Sequence, residues 1–222
     1  MDPYRNPFAP GAGSRPPELA GRDDIVEQAR IASARVLRGR AARSIMLLGL
    51  RGTGKTVLLN ELARIARDEG HLISQIEAPE ETELGTLLVP EMRKVMLSLS
   101  TSEAAKDMAS RALMGLRNFA SVFKIKVAGV GVDVTPVLGL ADSGDLEFDL
   151  PDLFVAIGEA AQAAGKGWTL FIDEVQYLPA SDLAALVVAM HKVAQRSLPV
   201  IFMGAGLPQV ARLAGDAKSY AE

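Results

Sequence analysis

The run SIMLLGLRGTGKT, Ser44 to Thr56, constrains the fold of this chain more than any other stretch. Its first half is short, apolar and bounded by turn residues, as expected of a strand buried in a parallel sheet. Its second half crowds Gly49, Gly52 and Gly54 around Lys55 and Thr56. Aiming several backbone amides into one hollow needs positive φ, which costs little only at glycine, and these three are expected to supply it. The residues that follow, KTVLLNELARIARDEG, set Val57, Leu58, Leu62 and Ile65 at helical spacing, with Gly70 as the stop. A strand, a glycine-rich loop and a helix N-terminus in that order make a cradle for phosphate. Lys55 would reach the outer phosphates and the Thr56 hydroxyl would ligate Mg2+, with Leu50, Arg51, Thr53 and Val57 completing the binding loop. Chance gives such a spacing on the order of once per hundred chains of this length.

A second stretch, WTLFIDEVQYLP, supports the same chemistry. Thr169 to Ile172 read as a buried strand, and Asp173 and Glu174 follow at its carboxyl end, where open α/β sheets place their ligands. Asp173 would hold Mg2+ opposite Thr56, and Glu174 would orient or deprotonate an attacking water. A solvated acidic pair closing a strand is the plainer reading of these two residues taken alone.

Strands and helices alternate along the rest of the chain. DDIVEQARIASARVLRG spaces Ile25, Val26, Ala29, Ile31, Ala32, Val36 and Leu37 as a helix, with Asp23 and Asp24 at its start. HLISQIEA and LPVIFMGAG read as further strands. Residues 84–120 read as two helices, FKIKVAGVGVDVTP as a hairpin over 123–135, and ADSGDLEFDLP as an acidic loop. DLFVAIGEAAQAAGKG and SDLAALVVAMHKVAQRS read as helices, and the Pro- and Gly-rich residues 1–17 as an extended arm. This order predicts an α/β fold, a parallel sheet with helices on both faces, with the hairpin lying beside it.

Composition narrows the class. The chain has no cysteine, which excludes disulfides and thiolate metal sites, and its only histidines, His71 and His191, are far apart. No signal-like apolar segment or uncharged run long enough to span a bilayer occurs, so a cytoplasmic protein without a membrane partner is expected. Residues 1–70 hold 12 Lys and Arg against 8 Asp and Glu, and residues 71–222 hold 12 against 19, an acidic balance unlike a nucleic-acid-binding stripe.

GLRGTGKT followed by LFIDEVQYL resembles the AAA+ and STAND group of P-loop ATPases, in particular the bacterial and archaeal members related to origin-recognition ATPases. ELAGRDDIV, ahead of the loop, is similar to the box that lines the adenine pocket there, which implies that Ala20, Gly21 and Arg22 lie near the base. The resemblance covers residues 18–80 and 145–222 and implies a P-loop NTPase three-layer sandwich that binds and hydrolyses ATP with Mg2+. Residues 84–144 are left over as a helical and hairpin insertion, a candidate surface for self-association or a protein partner. The family carries a polar sensor at the end of the fourth strand; here that strand ends FMGAGLPQV, and Gln209 is the nearest candidate. Arg212 is either an arginine finger or a solvated helix residue. The family's fifth core strand, helical lid and winged-helix domain would follow Glu222. The expectation is therefore the N-terminal part, residues 18–222, of a longer ATPase, slow and weakly binding by itself, with DNA contacted only by parts outside this chain. A non-hydrolysing ATP-binding interaction module is the alternative. A GTPase lacks its guanine motif here, and a small-molecule kinase fits the Asp173-Glu174 pair less well.

Overall fold

The four apolar runs form one sheet. A computed structural model describes residues 21–125 and 139–211. Within them β1 (Ile45–Leu48), β2 (His71–Glu77), β3 (Gly167–Asp173) and β4 (Val200–Gly206) lie side by side in the order β1-β4-β3-β2, every pair parallel. Six helices connect or precede them: α1 (Asp23–Leu37), α2 (Lys55–Asp68), α3 (Leu84–Leu99), α4 (Lys106–Val122), α5 (Leu146–Ala163) and α6 (Ala180–Gln195).

The side-chain period of two sorts each central strand between two cores. Trp168, Leu170 and Ile172 of β3 join Val200 and Phe202 of β4 in the larger core, under α3, α5 and α6. Phe171, Ile201, Met203 and Ala205 point the other way, against Leu58, Leu59 and Leu62 of α2 and Ala29 and Val36 of α1. Both faces are covered, so β3 and β4 read as unbroken apolar runs, and every residue of these two strands is buried. The three layers are helix, sheet and helix, as expected.

Three local readings change. The acidic loop is shorter than expected: α5 begins at Leu146 and runs through Pro151. Asp145 caps it by accepting from the Glu147 amide, and Glu147 and Asp149 favour the helix dipole, so the proline sits inside a helix that starts before it. Residues 123–125 close α4 instead of opening a strand, with the Ile125 amide donating to the Ala120 carbonyl. The remainder of the expected hairpin, with its valines, falls on residues 126–138, outside the described residues, as do the arm at 1–17 and Arg212. Ile31, one of the apolar residues that mark the helical spacing of α1, is 49% exposed. Helices α3 and α4, from the segment read as an insertion, share the larger core with β3, α5 and α6 through Leu88, Met92, Leu116 and Phe119.

Candidate functional site

The loop between β1 and α2 bends through left-handed backbone at Gly52 (φ 78) and Gly54 (φ 79). Gly49 does not, contrary to expectation. Its need is space, since a Cβ there would stand 2.8 Å from the Thr53 hydroxyl oxygen. That hydroxyl donates to the Leu50 carbonyl at 2.9 Å and closes the loop on itself. The Lys55 ammonium lies across the same loop, donating to the Gly49 and Leu50 carbonyls at 2.9 Å each.

The N-terminus of α2 is uncapped. Helices α1, α4, α5 and α6 each carry an acidic residue in the first turn. Helix α3 has none, but its Leu84 amide donates to the Asp182 carboxylate at 2.7 Å. Helix α2 has neither a first-turn acid nor a side-chain cap. Among the described residues its amides and dipole are thus left for an anion supplied from outside.

Across the carboxyl ends of the strands the loop meets β3. The Thr56 hydroxyl donates to Asp173 Oδ2 at 2.6 Å, although the two residues are 117 positions apart. Asp173 is buried, and its second oxygen accepts from the Glu174 amide at 2.8 Å. Glu174 then turns out of the strand in left-handed backbone, φ 54 and ψ 40, which a non-glycine residue adopts only at a cost. A single 3-10 turn, Val175–Tyr177, follows. A hydroxyl and a carboxylate converging beside an uncapped helix N-terminus are the hard oxygen donors that suit Mg2+. Among the described residues no three His, Asp or Glu side chains cluster as a self-sufficient metal site.

Arg22 is drawn to the loop: its guanidinium donates to the Thr53 carbonyl at 3.1 Å. A cavity of about 450 Å³ opens there, lined by Arg22, Ile25, Leu48, Thr53 and Lys55, among others. Gly21 precedes it, exposed and at φ 72, while Ala20 lies outside the described residues. Gln209 stands exposed in the turn after β4. The polar side chain that reaches the end of β4 is Gln176, which accepts from the Leu207 amide at 3.0 Å and donates to the Glu174 carboxylate. Arg51 donates to the Tyr177 hydroxyl at 2.7 Å. No periodicity or motif flags Gln176 or Tyr177; the only hint is that they follow the acidic pair directly.

A parallel sheet whose first strand feeds such a loop, with helices on both faces, is the build of a P-loop nucleotide-binding domain. The chain belongs to the AAA ATPase domain family, whose model matches residues 18–203. Its fold is similar to that of Cdc6p from Pyrobaculum aerophilum, with a TM-score of 0.54 at 17% sequence identity. That likeness covers 96% of this chain and 47% of the Cdc6p chain, so this chain spans about half the length of that protein. Comparison with curated proteins gives no match. The chain is a nucleotide-binding domain of the AAA class. Among the described residues no helix is long and apolar enough to cross a membrane.

Proposed function

We propose that the chain binds ATP with Mg2+ on the loop at residues 49–57 and hydrolyses it, the cycle driving a conformational switch in a longer protein. The observation that carries this reading is the 2.6 Å contact between Thr56 and Asp173, at a helix N-terminus with no side-chain cap and no first-turn acid of its own. The amides of Lys55, Thr56 and Val57 would cradle the phosphates, and Lys55 would exchange its two loop carbonyls for phosphate oxygens. Thr56 and Asp173 would hold the metal, which supplies charge neutralisation on the phosphate oxygens when bound. The base would enter the cavity beside Arg22. Glu174 would take the proton of the attacking water.

The rival reading, ATP binding without hydrolysis, draws support from the end of β4, where Ala205, Gly206 and Leu207 offer no polar side chain to a terminal phosphate. Single-turnover hydrolysis by Glu174→Gln separates the two. Loss of about 10²- to 10⁴-fold in rate with ATP binding retained is expected of a general base. Equal rates in variant and wild type would favour the binding module.

A further inference from the structure

Glu174 is not held by its own backbone alone. We propose that Gln176 is a positioning residue that fixes the Glu174 carboxylate and ties its placement to the phosphate loop. This rests on the hydrolytic reading above.

The geometry assigns the amide of Gln176 without ambiguity. The Leu207 N–H can only donate, so the side-chain oxygen of Gln176 faces it, at 3.0 Å. The NH2 group then faces Glu174 and donates to its Oε2. A primary amide is the side-chain group that serves a donor at one end and a carboxylate at the other. One carboxylate oxygen is engaged, the plane of the group is set, and Oε1 is left to receive a proton from water. Without the amide, a side chain with three rotatable bonds on a left-handed residue would sample several rotamers.

The other end of the contact reaches the phosphate loop. The Leu207 N–H belongs to the same peptide unit as the Gly206 carbonyl, and that carbonyl accepts from the Gly49 amide at 3.2 Å. One peptide plane at the end of β4 thus receives a hydrogen bond from the first residue of the loop and gives one to Gln176. Hydrogen bonds arranged in series polarise one another. Space for the arrangement is provided at Gly206, where a Cβ would lie 3.0 Å from the Gln176 side-chain oxygen. A displacement of the loop at Gly49 therefore moves the support of the candidate base.

The test uses the 222-residue chain with Gln176→Ala, Gln176→Glu, Glu174→Gln and the double variant Gln176→Ala/Glu174→Gln. Read out are single-turnover ATP hydrolysis, ATP affinity and the urea midpoint. Gln176→Ala is expected to slow hydrolysis about 10- to 100-fold, the scale of a misplaced catalytic group, with ATP affinity unchanged within about twofold. Gln176→Glu still accepts from Leu207 but sets a second carboxylate against Glu174, so some loss in its urea midpoint is expected with ATP affinity retained. While both carboxylates are ionised it offers Glu174 no donor, so at alkaline pH it should hydrolyse as slowly as the alanine variant. In the Glu174→Gln background, adding Gln176→Ala should cost nothing further, because the group it positions is gone. Wild-type or faster hydrolysis by either Gln176 single variant, or an equal loss in both backgrounds, would overturn the proposal; if the alanine variant fails to fold, the glutamate variant decides. Equal turnover by wild type and Glu174→Gln would instead remove the hydrolytic reading itself, and this inference with it.

Discussion

At the scale of single residues, the ring of His71 shows how a buried polar group is satisfied from three elements. His71 opens β2, and its Nε2 lies 3.0 Å from the Ser33 carbonyl of α1. A carbonyl only accepts, so Nε2 carries the proton, and Nδ1 accepts from the Thr169 hydroxyl of β3 at 2.8 Å. The neutral ring fits both partners. Burial pushes its pKa below the ordinary 6.5, opposed in part by the Ser33 carbonyl. The folded state then binds fewer protons than the unfolded state below that value, so this contribution is complete above pH 6.5 and is lost as the pH falls beneath it. One proton changes stability by at most about 1.4 kcal/mol per pH unit. The destabilisation caused by His71→Asn, measured by urea unfolding, is expected to be smaller at pH 5.5 than at pH 7.5. A larger effect at the lower pH would contradict the neutral assignment.

At the scale of elements, helix ends decide where the charged groups sit. Asp182 is buried in the first turn of α6 and also accepts from the first amide of α3 at 2.7 Å, so one carboxylate serves two helix N-termini. Asp182→Ala should destabilise the chain by about 1–2 kcal/mol, the usual cost of a lost cap. Hydrogen exchange should quicken first at the start of α3. Asp182→Asn keeps an acceptor and is expected to cost less. Unchanged exchange in α3 would show that the contact holds nothing there. Helix α5 makes the same point: capping by Asp145 and the favourable first-turn acids explain why the helix starts before Pro151. The two contacts from α6 to α5, Lys192 with Asp152 and Arg196 with Glu159, are about half exposed and contribute little by comparison.

For the molecule as a whole, a ligand that binds only the folded state raises stability by mass action. ATP with Mg2+ at about a hundredfold over its dissociation constant should stabilise the chain by about 2.7 kcal/mol. The gain should shrink when EDTA removes the metal, and vanish in Lys55→Ala. A thermal unfolding series with and without nucleotide measures it. A shift equally large in Lys55→Ala would place the nucleotide elsewhere. The unfolding transition should involve both faces together, because Phe171 of β3 packs against α2 while its neighbours Leu170 and Ile172 pack under α5 and α6.

The sequence by itself determined the strand-loop-helix order at Ser44–Asp68, the apolar runs that become β2, β3 and β4, the helical spacing of α1 and α6, and the candidate loop with Asp173 and Glu174. These are legible because they depend on periods of two and 3.6 residues and on turn chemistry within a few positions. The tertiary structure alone decided that Thr56 and Asp173, expected to face each other across a metal, touch directly, that Gly49 is required for space and not for φ, that Ile31 faces outward, and that Gln176 links Glu174 to Leu207. The contacts of Thr56 with Asp173 and of Gln176 with Leu207 depend on strand order, which brings the end of β4 between the ends of β1 and β3, and on register, which sets Leu48 against Gly206. Neighbourhood across a sheet leaves no trace in local spacing, so it is decided only when the strands pair.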